Sequence, residues 1–123
     1  MSKIVRAANA MISNADKISE VKRGVGEYFF LYNSKYKWSI SYNEVEKSYS
    51  LFYYPSSTSI ETLAAMSLDD WQTDEEYIRY SSKDLNSKEA YETFSELYRI
   101  IEEKVFGVDK ALDDIIKDDM SIF

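Results

Sequence analysis

The segment Tyr36-Lys37-Trp38-Ser39-Ile40-Ser41-Tyr42 constrains the fold more than any other. Its large apolar residues fall on every second position with Lys or Ser between them, the period of a strand with one dry and one wet face. Trp38 and Ile40 therefore point into a core, and the strand needs neighbours. Residues 27–33 (EYFFLYN) before it and Ser48–Tyr54 (SYSLFYY) after it are dense in aromatics, which suit a pleated, half-buried surface. Ser34-Lys35 is short enough for a two-residue hairpin loop, residues 43–47 turn the chain again, and Pro55 ends the third strand.

Helical periods flank this meander. Ile4, Ala7, Ala8, Met11 and Ile12 recur at three- and four-residue spacing, predicting a helix over residues 2–13. Residues 16–23 are charged, with Ile18 and Val21 their clear apolar positions, and fit either a short helix or an approach strand. After the loop at 55–59, Thr58 and Glu61 have the spacing of a capping box, so a short helix over about 59–66 should turn Ile60, Leu63 and Ala64 inward. Residues 77–81 read as a fourth strand pairing with the meander. Asn86 and Glu89 repeat the capping spacing ahead of a long helix striped by Ala90, Phe94, Leu97, Ile101 and Val105. Gly107 suits its C-cap, and a last helix follows through Ala111, Leu112, Ile115 and Ile116, with a frayed tail over 118–123.

The expected fold is α+β: a four-stranded antiparallel sheet, a three-strand meander plus one strand, with the N-terminal helix and the C-terminal helices packed on it. The 123 residues fit one domain spanning 1–123. Nine of the eleven tyrosines fall in the predicted strands, and the first strand is aromatic on both faces. Either helices cover both faces, the N-terminal one on one side and the C-terminal ones on the other, or an aromatic patch stays open for recognition.

The chain contains no histidine and no cysteine. This removes the usual general base near neutral pH, the common zinc ligands, thiol nucleophiles and disulfides together. No catalytic residue set stands out, and the expectation is a protein that is not an enzyme and holds no cofactor. Asp69, Asp70, Asp74, Glu75 and Glu76 invite a metal reading, but Trp71 and Thr73 occupy two ligand slots and no glycine supplies the turn of a calcium loop, so no metal site is expected. Lys22-Arg23-Gly24-Val25-Gly26 places two cations beside glycines that could form an anion-binding nest. It lacks dinucleotide and Walker spacing, and glycines there also serve strand geometry alone.

Charge is the remaining signal. Net charge is −7, split so that residues 1–55 carry +3 and residues 56–123 carry −10. Such acidity repels phosphate backbones, so duplex DNA is not an expected ligand, whereas a basic protein is. The acidic groups best placed for such a partner are Asp69, Asp70, Asp74, Glu75, Glu76, Asp113 and Asp114, with Trp71 as an aromatic anchor. Asp114 and Asp118, four apart on one helix, repel each other, which either a basic partner or a frayed end explains.

The expectation is therefore a small acidic inhibitor or adaptor occluding a basic, nucleic-acid-binding type of surface by mimicking phosphate charge. Phage anti-defence and immunity-type proteins share this composition, an analogy of class only. The alternative is a nucleotide-sequestering protein using Lys22, Arg23 and Tyr28. The first residues hold only short apolar runs, and no stretch approaches the ~20 apolar residues that span a bilayer. A cytoplasmic location without membrane contact is expected.

Overall fold

The computed structural model describes residues 2–66 and 75–120. In chain order they form α1 (Lys3–Ser13), a 3-10 turn (Ala15–Lys17), β1 (Ile18–Arg23), β2 (Tyr28–Tyr32), β3 (Tyr36–Asn43), β4 (Ser48–Tyr54), α2 (Ile60–Ala65), β5 (Ile78–Ser81), α3 (Ser82–Leu85), α4 (Lys88–Phe106) and α5 (Val108–Met120). The strands make one sheet in the order β1-β2-β3-β4-β5, every neighbouring pair antiparallel.

The architecture is α+β as expected, but with five strands in the sheet and not four. The added strand is β1. Its register runs Ile18↔Tyr32 and Ser19↔Leu31, then slips to Lys22↔Phe29 and Arg23↔Tyr28, with Glu20 in the left-handed region at φ 49. A bulge inserts one residue and bends the strand. Ile18 and Val21, three residues apart, thereby both pack on the same core, which hides the alternation of a regular strand.

Strand alternation sorts the aromatics onto two faces. Tyr28, Phe30, Ile40 and Leu51 pack with Val5, Ala8 and Met11 of α1 and with Ala90, Phe94, Leu97 and Ile101 of α4. Phe29 and Tyr54 point the other way, into a second cluster with Ile60 and Leu63 of α2. The first meander strand is thus aromatic on both faces. The distribution of helices differs from expectation: α1 and α4 share one face, and α2 caps the other.

The hairpin between β2 and β3 also shifts by one residue. Asn33 and Ser34, both left-handed at φ 56 and φ 55, occupy the central turn positions, and the Lys35 N–H donates to the Tyr32 carbonyl at 3.2 Å. Two left-handed residues give the turn the twist that matches the strands.

Helix caps follow the same logic. The α2 cap is Ser59, whose hydroxyl accepts from the Thr62 N–H at 3.2 Å, and the α4 cap is Ser87, which accepts from the Ala90 N–H at 3.0 Å. Both lie one residue after the expected cap. Thr58 instead donates to Glu75, at 3.0 Å, while Asn86 ends α3 in the left-handed region.

The last correction concerns α5, which is not packed on the sheet. Gly107 ends α4 with φ 64, a conformation open to glycine at little cost. Every residue from Asp109 to Asp119 is exposed. The helical face of the sheet is already filled by α1 and α4, so no apolar seat remains there. The helix itself continues to Met120, past the start of the expected frayed tail. No described helix is long and apolar enough to cross a membrane.

Candidate protein-interaction surface

Asp69, Asp70, Trp71 and Asp74 lie outside the described residues. Of their expected companions, Glu75 is half-buried and turned inward. It accepts from the hydroxyls of Ser56 and Thr58, tying the segment before β5 to the loop before α2. Its carboxylate serves the fold. Glu76 is exposed.

Asp113 and Asp114 stand on α5, both exposed. The helix carries five aspartates and two lysines between Val108 and Met120. At 3.6 residues per turn, Val108, Ala111, Leu112, Ile115 and Ile116 share one side, which Asp119 closes at its C-terminal end, Asp109 and Asp118 border it, and Asp113, Asp114, Lys110 and Lys117 turn to the other side. Leu112 is 51 %, Ile115 64 % and Ile116 56 % exposed. Phe106, the last residue of α4, is 56 % exposed and carries the Arg23 guanidinium 5.5 Å above its ring. These aliphatics were expected to face inward. Their spacing announces an amphipathic helix but not what covers it, which is why the sequence alone misplaces them.

The glycine-flanked cations separate. Arg23 pairs with Tyr28 and Lys22 with Phe29, so the two side chains leave opposite faces of β1. Arg23 and Tyr28 line a hollow of about 280 Å³ with Gly24, Gly26, Glu27 and Tyr98, and Lys22 is not among its lining residues. That volume falls below the ~300–1,000 Å³ of ordinary ligand pockets. Gly24 has a packing role, since a Cβ there would lie 2.4 Å from Cε2 of Phe29.

Two polar networks flank the hollow. The Tyr28 hydroxyl donates to Glu102 at 2.9 Å, and its ring meets Tyr98 at 5.4 Å between centroids. Tyr98 continues to Tyr49 at 5.4 Å, and Tyr49 to Tyr42 at 4.7 Å and Tyr91 at 5.4 Å. This ladder fills the seam between the sheet and α4. Burial pushes the Tyr98 phenol up to about 12, with nearby Tyr28 and Glu102 adding to the effect. Burial also raises Tyr28, and its bond to Glu102 raises it further.

On the opposite face Ser39, fully buried, donates to Glu27 at 2.7 Å and lies 2.7 Å from the Tyr54 hydroxyl. Desolvation raises the Glu27 carboxyl above its ordinary value, partly offset by the Ser39 hydrogen bond. Burial raises Tyr54 as well, with the Glu27 charge next in importance. Most sheet tyrosines are therefore consumed by packing between layers. Tyr77 keeps an exposed edge, at 49 %, over Phe52.

Among the described residues no group of three or more acidic side chains converges as a metal cage. Neither a protein-family model, nor a curated protein, nor a solved structure matches the chain.

Proposed function

We propose that this protein is a small acidic inhibitor or adaptor that occludes a basic surface of another protein, of the kind that otherwise holds nucleic acid, as phage anti-defence and immunity-type proteins do. The observation carrying this reading is α5. A helix with five aspartates and two lysines, exposed from Asp109 to Asp119, presents closely spaced carboxylates to any partner lined with Lys or Arg. The lack of histidine and cysteine supports action by binding, without turnover.

Carboxylate-to-cation attraction is screened by salt and speeds association more than it slows release. The test is to purify a partner retained from native lysate and measure its affinity across ionic strength. Affinity should fall as salt rises, weaken when Asp113 and Asp114 are both changed to Lys, and compete with nucleic acid on the partner. An affinity indifferent to salt and to charge reversal at Asp69, Asp70, Asp74, Asp113 and Asp114 overturns the proposal.

A further inference from the structure

Acidity alone does not explain why α5 also carries a row of exposed aliphatics. Leu112, Ile115 and Ile116 stand at i, i+3 and i+4, each more than half exposed, and Val108 extends the row toward α4 by one turn. Soluble chains seldom display contiguous apolar surface without a partner.

We infer that α5 is a docking helix whose occupant is a basic amphipathic helix of another protein, with an apolar stripe and Lys or Arg along its borders. The charge pattern selects this occupant. Asp109 and Asp118 flank the apolar row on its two sides, while Lys110 and Lys117 lie on the far side of the helix. A second copy of α5 would bring aspartates against aspartates, and like charges across a helix interface oppose pairing. An anionic membrane surface would meet the same repulsion, whereas helices that lie on membranes place Lys and Arg beside the apolar face. A helix with cationic borders satisfies the apolar row and the acidic flanks together, in the helix-to-helix mode read by anchors at i, i+3 and i+4.

The inference rests on the acidic-occlusion reading and sharpens it, since it requires an apolar component at one defined element. The experiment uses the full chain and two synthetic peptides of leucine and lysine, each about four turns long. One gathers its leucines on a single helical face. The other has the same composition with leucines spread around the helix. Calorimetric titration should give at least about tenfold tighter binding of the first peptide. Changing Leu112, Ile115 and Ile116 together to Ser should erase that preference with the melting temperature kept, and Ile115→Asp alone should reduce it.

Equal affinity for both peptides overturns the inference, as does a preference that survives the triple change. Binding to vesicles of anionic lipid, or a wild-type dimer that the triple change dissolves, assigns the row to a different occupant and also overturns it. Loss of both peptides on reversing Asp113 and Asp114, with no effect of the Ser changes, defeats the docking helix while leaving occlusion by charge standing. A stripe preference that persists while the affinity of the striped peptide is indifferent to salt does the reverse.

Discussion

Replacing Gly24 by Ala tests the two-sided sheet more sharply than any truncation of its core. A Cβ at this position would meet Cε2 of Phe29 at 2.4 Å and Cδ2 at 2.9 Å, with the Ala64 carbonyl oxygen at 3.5 Å. The first two distances are shorter than real Cβ contacts allow, so the ring must move. Phe29 is only 1 % exposed and is held among Tyr54, Ile60 and Leu63, and its ring lies 5.7 Å from that of Tyr54. Displacing it disturbs the contact between α2 and the sheet.

Overpacking of this kind costs about 1–3 kcal/mol, a shift of roughly 3–6 °C per kcal/mol for a chain of this size. Urea denaturation gives the number directly. Gly26→Ala is the control: nothing lies within 4 Å of its Cβ, and φ is +73, so its cost is the left-handed conformation alone, about 1 kcal/mol. Shrinking the obstacle should relieve the clash. In a double-mutant cycle with Phe29→Leu, the Gly24→Ala cost should fall, with a coupling of at least ~0.5 kcal/mol. A Gly24→Ala protein as stable as wild type, with no coupling to Phe29, refutes the packing of α2 on this face.

Other outcomes follow from the same geometry. Glu27, raised by burial, is held more readily as the neutral acid in the folded protein; a raised acid contributes stability below its unfolded value near 4.5 that is lost as pH rises through the folded value. Glu27→Gln should therefore raise the melting temperature at pH 7, with the gain disappearing below pH 4; an equal gain at both pH values counts against it. Tyr98, at about 12, should ionise late in an absorbance titration together with the raised Tyr28 and Tyr54, and Tyr98→Phe should shrink that late component; a late component unchanged by the substitution is the contrary result. Ser87→Ala should cost about 1 kcal/mol by removing the α4 cap, measured by denaturation. Leu97→Ala, at a fully buried site, should cost ~2–5 kcal/mol, whereas Ile115→Ser on exposed α5 should stay within ~0.5 kcal/mol.

Strands β2, β3 and β4 were legible because each alternates or carries enough aromatic bulk that no other element could bury it. Phe29 against Phe30 announced aromatics on both faces of the sheet, but left open whether helices or a partner would cover the second. β1 was legible only as one of two alternatives, since Ile18 and Val21 stand three residues apart, a spacing that the bulge at Glu20 accommodates but that lacks the period of two. Caps were found to within one residue: Thr58 stands beside Ser59 and Asn86 beside Ser87, and neighbouring side chains of equal capping chemistry are separated only by backbone geometry.

The candidate surface was half legible. Asp113 and Asp114 were singled out by charge, and they do stand exposed on α5. The apolar row beside them carries the same 3.6-residue period whether it faces a core or solvent, and only the filling of the helical face by α1 and α4 decides between the two. Lys22 and Arg23 were grouped by adjacency, yet adjacent strand residues point to opposite faces. Glu75 was grouped with its acidic neighbours, while its two hydroxyl donors, Ser56 and Thr58, come from a loop that no local pattern connects to it.

The most direct test of α5 as the site of attachment is to place a photoactivated cross-linking side chain at Ile115 in native lysate and, separately, at Val45, which is 94 % exposed on the β3–β4 turn. The account predicts covalent capture from position 115 alone, onto a peptide that joins apolar residues with Lys or Arg and that high salt protects from labelling. Capture onto a second copy of this chain, or equal capture from both positions, contradicts it.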